Sequence, residues 1–370
     1  MARPPRRIRP RLLAPSRILR TTPARAGGGR ERADLIEQAA ESIRAGSRSF
    51  YAASLLFEPA IREQAWLLYA WCRRCDDLAD GQEGGGQRTA PPGEQHDAER
   101  RITAIRLLTE RAFDGLPTAD AAFDAFGLVA REVNITPELA EDVIGGFALD
   151  AEGWRPRSEK DLGLYCYHVA GAVGVMMARI MGVSRDDSWM NDRACDLGLA
   201  FQLANIARDL AEDADAGRCY IPMEWLAEED IEPGQEMKPH HREEMASIAR
   251  RLVALMERHE AAARLGAAKL PFRSRWAVLA AANIYGAIGR EVVERGARAW
   301  DSRVVIGRVE KLRHLASAFW EALRNPEPEG EPEMPAWNRG ELMIEARMNA
   351  PIPKVDIAPL PEDEPSDRYD

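Results

Sequence analysis

The sequence is poor in everything that staples, anchors or flattens a chain. It has five cysteines, Cys72, Cys75, Cys166, Cys195 and Cys219. Their number is odd, and the N-terminus lacks the continuous apolar core of a secretory signal, so disulfide stapling is excluded and a cytoplasmic compartment is expected. No stretch approaches about eighteen uncharged apolar residues, which excludes a spanning helix. No glycine-rich dinucleotide fingerprint appears. Alternating β-branched segments are few, which excludes a sheet-based fold. Cys72-x-x-Cys75 suggests zinc, but no second C-x-x-C, H-x-x-x-H or C-x-x-H supplies the other two ligands, and His240-His241 lies in a loop without thiol partners. These two cysteines are expected to be small, partly buried residues of an interior helix.

What is present is a 370-residue chain that is 45% hydrophobic, enough for an enzyme-sized core. Its net charge of −10 is unevenly placed. Residues 1–33 hold ten Arg against the single acid Glu31. This Arg/Pro mixture cannot build a core and reads first as a disordered leader; its other reading is an arm for anionic headgroups or nucleic acid. Residues 325–370 hold nine of the 24 prolines and twelve acids against four bases, the composition of a polar tail outside the core. Between them, 34–324 reads as one all-α domain. Runs such as "REEMASIARRLVALMERHEAAARLGAAKL" have helical period and composition. Turn residues cluster at 80–95, 114–120, 134–138, 152–161, 182–188 and 231–241, leaving about eight or more helices.

One acidic pattern occurs twice. Residues four apart share a helix face, so in "YAWCRRCDDLAD" (69–80) Asp76 and Asp80 project together, with Arg73 one turn earlier and Asp77 turned away. Like charges so placed cost a helix roughly 0.2–0.5 kcal/mol, a penalty that a divalent cation would remove. In "FQLANIARDLAEDADAGRCYIP" (201–222) the arrangement returns as Asp209 and Asp213. At about 100° per residue Asp209 and Asp213 each fall within about 20° of Gln202, with Asn205 about 60° aside. Ala200, Ala204, Ala207 and Ala211 occupy the opposite side, a packing surface for a close neighbour. Either pair alone reads more readily as a solvated charged face. Two pairs, one preceded by Q-x-x-N and followed by Arg218 and Tyr220, point instead to a diphosphate held by Mg²⁺, an ion that prefers oxygen donors and completes its shell with water and phosphate.

These residues resemble the squalene and phytoene synthase family, the head-to-head prenyl diphosphate synthases. Four blocks are similar to the family's motifs and in its order: "SRSFYAAS" (47–54), "YAWCRRCDDLAD", "YCYHVAGAVGVMMARI" (165–180) and "LGLAFQLANIARDLAEDADAGRCYIP" (197–222). A weaker likeness, "YGAIGREVVERGARAWDSRVV" (285–305), extends it towards residue 315. "AWCRRCDD", "GFALDAEGW" and "RGARAWDSRV" look most like the bacterial phytoene synthase branch.

The resemblance implies a helical bundle around a central apolar cavity, and a transferase that joins two geranylgeranyl diphosphates through an allylic cation and a cyclopropyl intermediate. It implies Mg²⁺, with Mn²⁺ as a substitute, clamped by Asp76, Asp80, Asp209 and Asp213, with Asn205 and Gln202 completing coordination or placing water. Arg73, Arg208, Arg218 and Arg303 would hold phosphate oxygens, and Ser47 and Tyr220 would add hydroxyls. A carbocation needs a dry, electron-rich wall, for which Phe50, Tyr51, Tyr165, Val169, Val173 and Tyr285 are the candidates; ordinary core packing is the other reading of each. Gly171 and Gly174 are expected to leave room for an isoprenoid chain. No NADPH is expected and no nucleic-acid partner; peripheral membrane contact is expected for greasy substrates. Two alternatives stay open: a C15 user making squalene or dehydrosqualene, and a silent member acting as an assembly partner.

Overall fold

The computed structural model describes residues 25–81, 95–325 and 335–348, and all regular structure among them is helical. Fourteen helices follow one another: α1 (Arg32–Gly46), α2 (Arg48–Ser54), α3 (Pro59–Ala79), α4 (Gln95–Phe113), α5 (Ala121–Val133), α6 (Pro137–Ala151), α7 (Glu159–Cys166), α8 (Ala172–Ile180), α9 (Ser188–Asp215), α10 (Met223–Glu228), α11 (Arg242–Ala267), α12 (Phe272–Arg295), α13 (Arg308–Arg324) and α14 (Arg339–Met348). Local chemistry sets the starts. Asp120, Thr136, Ser158 and Asp187 each accept a backbone N–H of the first turn, and Pro59 and Pro137 supply a preset φ at helix starts.

Helix α9 is the hub, packed against α8, α11 and α12. Its buried side is the alanine face expected from sequence, with Ala200, Ala204 and Ala207 buried, and Trp300 donates from Nε1 to the Ala207 carbonyl at 3.0 Å. Glycines bring the neighbouring segment closer still. A Cβ on Gly174 would strike the Ala194 carbonyl, and one on Gly198 the Ala170 carbonyl. Gly171, likewise, would push a Cβ to 2.9 Å from Cys195 Sγ. The expectation that Gly171 and Gly174 open room for an isoprenoid chain is therefore corrected: they serve helix–helix approach.

Both chain ends depart from the composition-based boundaries. Residues 25–33, assigned to the leader, are packed: Arg25 N–H donates to the Gly115 carbonyl at 2.7 Å, Arg30 pairs with buried Asp124 at 2.8 Å, and Arg32 pairs with Glu63 and Glu132. The segment expected as a tail outside the core adds Trp337, Leu342 and Ala346 to it. Trp337 lies over the bare backbone of Gly163 and stacks on His259 at 5.2 Å, and Arg347 reaches buried Asp142 at 3.0 Å. Residues 1–24, 82–94, 326–334 and 349–370 lie outside the described residues.

Candidate active site

The two aspartate pairs are carried on the last turns of two long helices that end at one mouth. Asp76 lies in the last turn of α3 and Asp80 is its C-cap; Asp209 and Asp213 lie near the end of α9. Past α9 the chain reverses at Gly217, whose φ of 73° a side chain would resist, and returns Arg218 towards α3. Arg218 Nη2 donates to Asp80 Oδ1 at 2.6 Å. That ion pair ties one wall to the other.

Arginines take up part of the negative charge. Arg73 reaches Asp76 at 3.1 Å and the buried Asp77 at 2.8 Å. Asp209 accepts from its neighbour Arg208, Nε at 2.7 Å, and forms an ion pair with Arg303 at 2.8 Å. Asp76 and Asp213 fare differently. Burial, then the charge of Asp80, pushes the Asp76 carboxyl up to about 6, although 48% of its side-chain surface is open at the mouth. Burial, then Asp209, pushes Asp213 up to about 7. Gln202 and Asn205 are half-buried on the same stretch of α9, and neither side-chain amide is hydrogen-bonded to a described residue.

Two residues that the sequence reading did not select belong to this region. Asp150, near the end of α6, accepts the Tyr220 hydroxyl at 2.7 Å and the Tyr165 hydroxyl at 3.1 Å. The two rings stack at 4.6 Å, and Trp154 stacks on Tyr165 at 5.9 Å. Burial raises the Asp150 carboxyl, and the bond from Tyr220 draws it back. Tyr69, on α3 one turn before Arg73, is the second; its ring lies 6.4 Å from Phe50, and Phe50 leans on Tyr285 at 5.8 Å. Tyr285 in turn stacks on Phe201 at 4.1 Å. The spacing Tyr69, Arg73, Asp76, Asp80 is one helix face, a signal legible in sequence. Asp150 carried only a weak one, a lone carboxylate ending the apolar run "GGFALD".

Not every expected residue joins the site. Ser47 Oγ accepts the Phe50 N–H at 3.3 Å and so caps α2, a use that leaves its O–H free to donate. Tyr51 stacks on Trp66 at 5.8 Å and takes a hydrogen bond from Arg44 at 3.2 Å, a packing position on the α1 side. Val169 and Val173 are half-buried against the core. Tyr165 sits in the wall beside Tyr220, and Arg303 and Arg218 are at the aspartates as expected.

The donor set is hard oxygen, as Mg²⁺ requires, and it is split: among the described residues no three carboxylates, thiols or imidazoles converge on one point. Two facing pairs, each with a carboxylate held short of full compensation, fit an ion that takes one or two protein carboxylates and leaves its other positions to water and phosphate. Thiol chemistry does not fit. All five cysteines are free, and burial pushes the Cys72 thiol up to about 12.

The family model described as squalene/phytoene synthase matches residues 43–310. The chain belongs to that family. Among squalene/phytoene synthases it is 43% identical over 307 residues to the 15-cis-phytoene synthase of Pantoea ananas, covering 82% of this chain and 98% of that one. It is 41% identical to the 15-cis-phytoene synthase of Paracoccus sp., over 80% and 94% of the two chains. The fold is that of a solved dehydrosqualene synthase, with a TM-score of 0.69 and 22% identity over 80% of this chain and 98% of that one. A squalene synthase from Alicyclobacillus acidocaldarius aligns with a TM-score of 0.63.

Proposed function

We propose that this member of the family is a 15-cis-phytoene synthase, a prenyltransferase that condenses two geranylgeranyl diphosphates head to head. The observation that carries the reading is identity of 41% or more to relatives bearing that name over nearly their whole length. Chemically, the reaction releases two diphosphates and two protons. The first substrate ionises to an allylic cation, the double bond of the second attacks to close a cyclopropane with loss of a proton, and a second ionisation opens the ring before the final proton leaves.

The chain's residues divide that labour. Arg73, Arg208, Arg218 and Arg303 already face the aspartates and are placed to exchange carboxylate for phosphate oxygens as each diphosphate enters and departs. Asp76, Asp80, Asp209 and Asp213, with Asn205 and Gln202, would hold Mg²⁺ or Mn²⁺. What the bound ion supplies is neutralisation of the leaving group. Phe50, Tyr285 and Phe201 on one side, and Tyr165, Tyr220 and Trp154 on the other, give aromatic faces to cationic carbon, each face worth about 0.5–2 kcal/mol. Both phenols donate their hydrogens to Asp150, so the remaining lone pairs of their oxygens are free for positive charge nearby.

A product assay on the purified chain with Mg²⁺ tests the reading, offering C15 or C20 diphosphate with and without NADPH. The expected product is phytoene from the C20 substrate, indifferent to NADPH. A C30 product would keep the aspartate assignment and overturn the substrate; absence of product from either substrate would overturn the enzyme reading. We further propose that the substrates, being long isoprenoid chains, reach the mouth from a lipid surface; no helix among the described residues is long and apolar enough to cross a membrane.

A further inference from the structure

The outer face of α13 is more apolar than a water-exposed helix should be. Val309, Leu312, Trp320 and Leu323 are 74%, 65%, 55% and 55% exposed, and Ala316 is exposed between them. At about 100° per residue these five fall within about 80°, a single stripe along a helix about 25 Å long. The inner face is fully used: Ala318 and Ala322 are buried, and Phe319 meets Trp276 of α12 edge-on at 5.2 Å. The stripe is therefore surplus to folding. A continuous apolar strip on an otherwise charged surface marks an interaction site.

Its edges name the partner. Arg308, Arg313 and Arg324 are exposed along the same helix, and none is ion-paired or hydrogen-bonded to a described residue. The acids nearby are exposed Glu310 and half-buried Glu321, the latter committed to Arg264 at 2.7 Å. A local cationic fringe on a chain of net charge −10 is a departure that calls for an anionic counterpart. Trp320 sits towards one end of the stripe, with exposed Phe272 near it through Phe319, 5.6 Å from Phe272. Apolar stripe, arginine fringe and an aromatic end are the components of a helix that lies in a membrane interface.

The other end of the stripe meets the site. The connector 303–307 starts with Arg303 on Asp209, continues through Val305, 67% exposed, and enters α13 at Arg308. A second copy of the chain is a poorer occupant. A specific dimer needs about 800 Å² and 20–30 residues from each partner, whereas this strip is one helix wide, and a two-fold pairing would bring arginine fringes together.

We propose that α13 is the membrane-docking element: its stripe lies among the headgroups of an anionic bilayer and sets the 303–307 rim of the active-site mouth against the lipid. The inference deepens the proposed function, since it names where greasy diphosphates would arrive, but it is tested without substrate. The full chain is sedimented with large unilamellar vesicles of phosphatidylglycerol and phosphatidylcholine, and with phosphatidylcholine alone. We expect binding to the anionic vesicles, at least about tenfold weaker for Leu312→Gln/Trp320→Gln and weakened also for Arg313→Glu/Arg324→Glu. All four positions are exposed, so the variants should keep the wild-type circular dichroism, and turnover on detergent-dispersed substrate checks the fold independently. Unchanged vesicle binding in both variants would assign docking to another part of the chain and overturn the proposal. So would equal binding to neutral vesicles, or a dimer in light scattering that the Leu312/Trp320 variant dissociates. Product formation is read separately, so failure of vesicle binding leaves the enzyme reading standing, and the reverse.

Discussion

The two aspartate walls look alike in sequence and differ in how their charge is balanced. On α3, Asp80 is locked to Arg218 from across the mouth, and Asp76, paired at 3.1 Å with its helix neighbour Arg73, is still the one whose carboxyl is pushed up to about 6. On α9 the order is reversed. Asp209 is gripped by Arg208 and Arg303, and Asp213, one turn further on, is pushed up to about 7. Each wall thus keeps one carboxylate firmly held by arginine and one whose carboxyl stays raised: Asp76 although Arg73 pairs with it at 3.1 Å, and Asp213 with no ion pair to a described residue. An arrangement that served stability alone would compensate all four alike, because an undercompensated carboxylate is costly where it is buried. Leaving one per wall undercompensated prepares two places for cation, and the member held by Arg218, or by Arg208 and Arg303, is the one that arginine can release to a phosphate.

If the walls act as one clamp, removing the charge of either should be equally damaging. Asp76→Asn and Asp209→Asn are each expected to cut turnover by at least about 10²-fold, the scale of losing one preorganised electrostatic group, with circular dichroism unchanged. Near-normal turnover in both variants would sink the clamp; a large loss in one alone would make the walls unequal. Next in size is the tie between them. Arg218→Gln frees Asp80 and unlinks the turn after α9, and outer-shell partners of this kind are worth about 10–100-fold in metal affinity or activity. The expected signature is a raised Mg²⁺ requirement with wild-type substrate chain length. A change in product length instead would place Arg218 in the pocket rather than at the clamp.

How far these walls could be read from sequence depends on how local their geometry is. Asp76 with Asp80, and Gln202 with Asp209 and Asp213, follow from 3.6 residues per turn, and the alanine side of α9 is buried as that period requires. Asp150 escaped because its role exists only where three segments meet: its partners Tyr165 and Tyr220 lie 15 and 70 residues away. A five-residue π turn, Tyr167–Gly171, interrupts the helix between Tyr165 and Val173, so their relative facing does not follow from a period of 3.6. Ser47 has a backbone use that its motif did not announce, since its oxygen caps α2 while its O–H stays available. Trp337 was hidden by composition: one tryptophan in a Pro/Glu stretch finds a glycine surface that no local pattern announces.

The mildest perturbation discriminates the two walls most finely. A metal must displace a proton from any carboxyl that is protonated, so apparent Mg²⁺ affinity should fall as the pH drops through the raised values. For a carboxyl titrating near 7, lowering the pH from 8 to 6 costs about tenfold in affinity; for one near 6, about twofold. The α9 wall should therefore weaken first. In Asp213→Asn the remaining Mg²⁺ affinity should be nearly flat between pH 8 and 7, whereas Asp76→Asn should keep most of the wild-type slope there. Without metal the sign for folding is opposite. Both carboxyls bind protons more readily in the folded chain than in the unfolded one, so their contribution to stability rises as pH falls from 8 through 7 and 6, and added Mg²⁺ should remove that gain. Calorimetric Mg²⁺ titration at pH 6, 7 and 8 reads the first effect, and thermal unfolding at the same pH values with and without Mg²⁺ reads the second. A wild-type affinity that stayed flat across that range would mean that these two carboxylates do not bind the ion, whatever their helices suggest.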